Sequence, residues 1–147
     1  MKKILVIFLL LINGLNAQSR SNFDKINLLI DKSLDEIVSQ IKVNEFKLNF
    51  SSPDQFRVLE NRIKSVLKNR MSFSVNNKSM NVLNYSLTEV KTEYGEAFTE
   101  SLFGNVLSER IVSVKGSYSY SEDAKLKIAD TFDFSSNDTL HYEKLFE

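Results

Sequence analysis

Apolar residues recur at steps of three and four along the first part of the chain: Phe23, Ile26, Ile30, Leu34, Ile37, Val38 and Ile41. Asp31, Lys32, Asp35, Glu36 and Lys42 fall mainly between them. This is the period of an amphipathic helix, and it predicts one over about Ser21 to Lys42. The period then changes. Phe46, Leu48 and Phe50 alternate with Lys47 and Asn49, which predicts a half-buried strand. Ser52-Pro53-Asp54-Gln55 reads as a helix start, with serine at the N-cap and proline at the first position, where its missing N–H costs nothing. Phe56, Leu59, Ile63, Val66 and Leu67 form the apolar stripe of that second helix, which should end near Asn69. Met71, Phe73 and Val75 alternate as a short strand, and Asn76-Asn77-Lys78-Ser79 has the chemistry of a turn.

Three longer strand patterns follow. The first covers about 82–94, with Leu83, Tyr85 and Leu87 in one phase and Val90, Thr92 and Tyr94 in the other. The slip between phases predicts a β-bulge near Thr88-Glu89. A second, over about 109–121, presents Val112, Val114, Tyr118 and Tyr120 on one face, with Gly116 marking a bend or a close backbone approach. A third covers about 125–134, with Leu126, Ile128, Phe132 and Phe134 facing one way. Ser121 to Ala124 should close the hairpin between the last two, and Thr139 to Phe146 is weakly patterned. Between the first and second of these strands lies Gly95 to Glu109, about fifteen residues where hairpin loops usually have ~2–5. It carries Ala97, Phe98, Leu102, Phe103, Val106 and Leu107, and the spacing of Phe98, Leu102 and Val106 is helical. An apolar segment of that length is either a lip packed over the sheet or a surface that meets a partner or lipid.

These elements predict an α+β fold in the order α-β-α-β-β-β-β. Two helices pack on one face of a mixed, mostly antiparallel sheet of about five strands. The β-α-β unit is expected to be parallel and right-handed, and the remaining pairs antiparallel.

The N-terminus lies outside that pattern. Lys2 and Lys3 precede an unbroken apolar run from Ile4 to Ile12, Asn13-Gly14 breaks it, and Leu15-Asn16-Ala17 places a small residue before Gln18. This is the anatomy of a secretory signal peptide over 1–17, leaving 18–147 as one domain. Nine apolar residues at ~1.5 Å each span about half of a bilayer core, so the run is short for an anchor. Cleavage removes two lysines and no acid from a chain with 19 basic and 19 acidic residues, leaving 17 against 19, a net −2. That balance favours neither nucleic acid nor an anionic membrane. No other run is long enough to span a membrane. The chain has no cysteine, which excludes disulfides, thiolate zinc sites, a thiol nucleophile and a lipidated N-terminal cysteine.

Motifs for catalysis are few. Beyond the leader there are three glycines, Gly95, Gly104 and Gly116, so no phosphate-binding loop can be written, and none of the known cofactors is implied. His141 is the sole imidazole, and no spacing around it points to a metal. Glu89, Glu93, Glu96 and Glu100 gather near one strand end and Asp130, Asp133 and Asp138 near another, from which a paired-carboxylate site could be drawn. Charges at alternate strand positions are equally what a solvated sheet face carries. Arg57, Arg62, Lys64, Lys68 and Arg70 make the outer side of the second helix basic, with Glu60 as counterweight.

The segments SLDEIVSQI, FKLNF, QFRVLENRIKSVLKNR and MSFSV follow one another, and RIVSVKGSYSY, KIADTFDF and the Asp138-Thr139-Leu140 turn come later. In this order they resemble the small periplasmic α/β domains of bacterial outer-membrane assembly proteins, the FlgO and CsgG N-terminal type. The likeness covers most of 21–142 and rests on pattern. It departs in having no cysteine to acylate and in the apolar segment 95–108. The resemblance implies an accessory or assembly role without enzymatic activity, and assigns no residue a role. The chain is therefore expected to be exported, to the periplasm, the outer membrane or beyond. There it would bind a protein partner of the envelope through Phe98, Leu102, Phe103 and Val106. The alternative is a carrier of a small apolar ligand or lipid held between sheet and helices.

Overall fold

A computed structural model describes residues 21–99 and 106–141; residues 1–20, 100–105 and 142–147 lie outside these, so the segment expected to be a signal peptide is not described. The element order is α1 (Asn22–Gln40), β1 (Glu45–Ser51), a 3-10 turn (Asp54–Phe56), α2 (Val58–Asn69), β2 (Ser74–Val75), β3 (Val82–Thr99), β4 (Val106–Glu122) and β5 (Lys125–His141). The α+β class and the element order are those expected. The five strands form one mixed, curled sheet in the order β2-β1-β3-β4-β5.

Both helices bury their apolar stripes against one face of this sheet. α1 contributes Leu29, Ile30, Leu34 and Ile37, and α2 contributes Leu59, Ile63, Val66 and Leu67. The sheet answers with Phe46 and Leu48, with Leu83, Tyr85 and Leu87, and with Val112, Val114, Tyr118, Tyr120 and Phe132. α1 starts at a capping box. The Ser21 hydroxyl accepts from the Asp24 N–H, and the Asp24 carboxylate accepts from the Ser21 N–H. α2 departs from expectation. Ser52 does not cap it but donates to the carbonyl of Pro53, and the chain makes a 3-10 turn before the α-helix begins at Val58.

The sheet topology corrects one expectation. β1 pairs in parallel with β2, as the β-α-β unit requires, but it also pairs in parallel with β3. The strand after β2 does not return as a hairpin. β2 is only two residues long, and the Asn76–Asn81 connection crosses the start of β1. Asn76 N–H donates to the Phe46 carbonyl, Lys47 N–H to the Asn81 carbonyl, and the Asn81 side chain to the Glu45 carbonyl. This asparagine-rich clasp saturates both edges of β1 at its first residues and delivers β3 to the far side of β1. Ser72, with φ of 57°, turns the chain before β2, which is why the strand predicted from Met71 begins only at Ser74.

The three later strands are longer than their patterns suggested. β3 and β4 form an antiparallel hairpin with a register shift between Leu87 and Glu89, where the bulge was expected. The bulge brings both phases to the core side: Leu83 faces Tyr120, and beyond the shift Val90 faces Val114. A second shift, between Tyr94 and Ala97, lets the ladder run on to Thr99 opposite Val106. The described parts of Gly95 to Glu109 are thus strand and not the helical lip that the spacing suggested. β5 extends to His141 and absorbs the start of the weakly patterned segment; residues 142–146 lie outside the described ones.

Gly116 stands inside the core face between Val114 and Tyr118, opposite Leu87 and Phe132. A Cβ there would come within 2.1 Å of the Ser86 carbonyl oxygen and 2.4 Å of the Phe132 ring. The close approach that the sequence suggested is therefore real, and only a residue without a side chain permits it. Gly116→Ala is expected to lower stability by about 2–3 kcal/mol, the cost of overpacking a rigid site. Urea unfolding followed by circular dichroism measures it, and an unchanged midpoint would show that the sheet yields there.

Candidate functional site

The apolar row on the core side of β4 ends at Val112, and the next inward residue is Arg110. It is 2% exposed. A guanidinium so buried must be paired, because its charge would otherwise cost several kcal/mol. Asp138, opposite it on β5, accepts two hydrogen bonds, from Nε at 2.9 Å and from Nη2 at 2.6 Å. Lys25, in the first turns of α1 and 6% exposed, reaches the same carboxylate at 3.1 Å and donates to the Ser136 hydroxyl at 3.1 Å. Arg110 Nη1 donates to Asn22 Oδ1, and the Asn22 amide donates to the Tyr94 hydroxyl at 2.7 Å. One polar network therefore ties the N-terminus of α1 to β3, β4 and β5. Next to it the fully buried Ser108 hydroxyl donates to the Gly95 carbonyl across the second bulge.

Burial pushes the Asp138 carboxyl up, but the hydrogen bonds and charges of Arg110 and Lys25 outweigh it and hold the carboxyl below the usual carboxylate range. The network is built for position, since its cations and carboxylate are committed to one another.

Beyond this network the β3–β4 hairpin runs on without helix cover. Phe98 is 49% exposed and Val106 42% exposed. Phe98 faces Leu107 and Thr99 faces Val106 in consecutive rungs, so Phe98 and Val106 lie on opposite faces of the hairpin. Leu102 and Phe103, the other two residues expected to bind a partner, lie outside the described residues. Phe98 shares the helix-free face with Ile111 and borders an open depression of about 430 Å³ with Glu109, Asn137 and Thr139. Tyr94 and, on α1, Phe23 are exposed on the helix side of the same end.

The other candidates resolve into solvated structure. Lys115 sits between Glu89 at 3.6 Å and Asp133 at 3.4 Å on the helix-free face, and Lys91 pairs with Glu93 at 2.6 Å. Glu96 is exposed, and Glu100 lies outside the described residues. These carboxylates are not brought to one pocket. Among the described residues no group of histidine and carboxylates could hold a metal ion, and His141 is exposed at the end of β5. Arg62 of α2 and Arg70 just beyond its end both bind Asp31 of α1, and Lys64 binds Glu60 within α2, so much of the basic face is neutralised by ion pairs. No helix among the described residues is long and apolar enough to cross a membrane.

The sequence pattern does not single out Lys25, Asn22 or Arg110 as site residues, and marks Tyr94 only as a strand position. A signal was present for two. Arg110 falls in phase with Val112 and Val114, and Lys25 lies four residues before Leu29 on the buried stripe of α1. A charge inside an apolar phase is the mark of a buried pair.

No protein-family model matches the sequence, and no curated protein matches it. Solved structures do. The rare lipoprotein B from Shewanella oneidensis is similar at 22% identity over 67% of this chain and 69% of its own, with a TM-score of 0.43. A minor lipoprotein from Acinetobacter baumannii is similar at 15% identity over 69% of each chain, with a TM-score of 0.42.

Asp138→Asn removes the charge that balances two buried cations, and is expected to destabilise the fold by about 3 kcal/mol near pH 7. Because the folded carboxyl is held low, its contribution is present above the unfolded value of about 3.9 and is lost as pH falls through the lower folded one. The variant should accordingly show a shallower loss of stability below about pH 5 than the parent chain. Urea midpoints measured from pH 3 to 7 test this, and parallel curves would refute it.

Proposed function

We propose that this protein is an exported, non-enzymatic module of the cell envelope that binds a protein partner through the outer end of its β3–β4 hairpin. The leader-like sequence at 1–17 supports export. The observation that carries the binding assignment is an exposed set of apolar side chains, Tyr94, Phe98, Val106 and Ile111, on a hairpin end whose base is locked by the Arg110–Asp138 pair. Tyr94 and Val106 lie on the helix side of that end and Phe98 and Ile111 on the other, and large apolar side chains on a rigid base are what interface anchors look like, since little entropy remains to be lost on binding. Periplasm and outer membrane both fit this reading, and an accessory or assembly role follows from it.

The alternative, a carrier of a small apolar ligand, requires space between helices and sheet. That layer is filled by Leu34, Ile37, Leu83, Tyr85 and Val112, and the Tyr85 hydroxyl is spent on Ser33 at 2.6 Å. No observation favours the carrier, so the partner reading is preferred.

Phe98→Asp and Val106→Asp test the proposal. Each alters a half-exposed side chain, so unfolding midpoints should move by no more than about 0.5 kcal/mol. Recovery of a stoichiometric envelope partner in crosslinked pull-downs of the tagged exported chain should fall at least about tenfold for one or both. A large loss of stability would make these residues core and remove the proposal, and unchanged partner recovery with an intact fold would move the interface elsewhere.

A further inference from the structure

We propose that export makes Gln18 the first residue of this protein and that its side chain then closes on the new α-amine, so that residue 18 is a modification site carrying a pyroglutamyl lactam. The proposal rests on the reading of residues 1–17 as a cleaved leader, and it does not depend on the hairpin end.

The identity of one residue sets the chemistry. Cleavage after Ala17 turns the peptide nitrogen of Gln18 into a free amine. That nitrogen, Cα, Cβ, Cγ and the side-chain amide carbon Cδ are the five atoms of an unstrained ring. The neutral amine attacks Cδ, the N–Cδ bond forms, the Cδ–Nε2 bond breaks, and Nε2 leaves as ammonia with the displaced proton. Nothing is oxidised or reduced, and no co-reactant is consumed. An α-amine has a pKa of about 7.7–8.0, so near neutral pH part of it is unprotonated and able to attack. The neighbours could not react in this way. Asn16 would have to close a four-membered ring, and Ser19 has no acyl carbon in its side chain.

The start of α1 shows what the lactam would protect. The Ser21–Asp24 capping box sets the first turn of the helix, and that turn delivers Asn22 to Arg110 and Lys25 to Asp138. Ser21 is exposed, and its ψ of 161° is not helical, so the chain enters the fold from the solvent side. Only Ser19 and Arg20 separate Gln18 from this cap, a reach of at most ~11 Å. A free ammonium at residue 18 would add positive charge near the positive end of the helix dipole, where Lys25 and Arg110 already share the Asp138 carboxylate. It would also give aminopeptidases the group they grip, and removal of residues 18–21 would take the Ser21 cap with them. Cyclisation removes the charge and the grip together.

Mass spectrometry of the N-terminal peptide tests this, on chain recovered from its native envelope with free amines acetylated at lysis. Acetylation excludes rings formed during handling. The peptide released by cutting after Glu36 is expected to begin at residue 18, to be about 17 Da lighter than its encoded sequence and to bear no acetyl group on the α-nitrogen. A peptide beginning at Gln18 with an acetylated α-amine overturns the proposal and leaves the leader reading standing. One that begins at Met1 overturns both, and one that begins at any other residue overturns the proposal and moves the cleavage site. Gln18→Ala keeps the cleavage site and removes the amide. The variant should carry an acetylated α-amine, and an added aminopeptidase should shorten it under conditions that leave the parent chain intact. Equal shortening of the two would refute the protective role.

Discussion

The inward row of β4 receives three neighbours at once. Leu87 and Phe132 close on Gly116 from either side, and Val112 and Val114 lie beneath α1. A strand paired along both edges and covered by a helix has no freedom to slip, because a shift of one residue would turn the whole row toward solvent. Gly116 strengthens that constraint. Its missing side chain is filled by the Phe132 ring and the Ser86 carbonyl, so the alignment of three strands is set at one point in the core. The bulge after Leu87 follows from the same constraint, since without it Val90 and Thr92 would leave the row that faces α1.

The polar network continues this row where its apolar part ends. Arg110 is the next inward residue after Val112, and Asp138 meets it in the register that the core has imposed. A buried ion pair contributes little net stability compared with an apolar pair, but it is severe toward misalignment. Placed at the end of the apolar row, it penalises any register that would separate Arg110 from Asp138 and brings the first turns of α1 to the same point through Lys25 and Asn22. Core packing sets the register, and the ions refuse the alternatives.

Most of this frame was legible in the sequence because it rests on periodicity. The stripe from Ile26 to Ile41, the phase slip at Thr88-Glu89 and the glycine in an apolar phase each have a local physical cause, and each appears in the structure. The parallel β1–β3 pair was not legible. It goes with side chains of the Asn76–Asn81 connection bonding to Glu45, Asn76 to its carboxylate and Asn81 to its carbonyl, contacts between segments some thirty residues apart that no local period encodes. The apolar segment after Gly95 misled for a related reason. Phe98 and Val106 lie in two paired strands, and only that long-range pairing distinguishes the arrangement from a helix of the same spacing. Arg110 and Lys25 were legible in principle as charges inside apolar phases.

Helix and strand lengths explain why an uncovered end exists. α1 has 19 residues and spans about 28 Å, while β4 has 17 and spans about 56 Å. A helix layer of that length cannot cover such strands, so part of the hairpin must project past it. Core formation does not require the projection, since the buried cluster is complete with Val112 on β4 and Leu87 on β3. Strands extended without need of a core would ordinarily end in polar residues and a tight turn. Here they carry Tyr94, Phe98, Val106 and Ile111 outward from a base fixed by ions. The excess length leaves these side chains without helix cover, Tyr94 and Val106 on one face and Phe98 and Ile111 on the other, and the extent of α1 determines where the uncovered end begins.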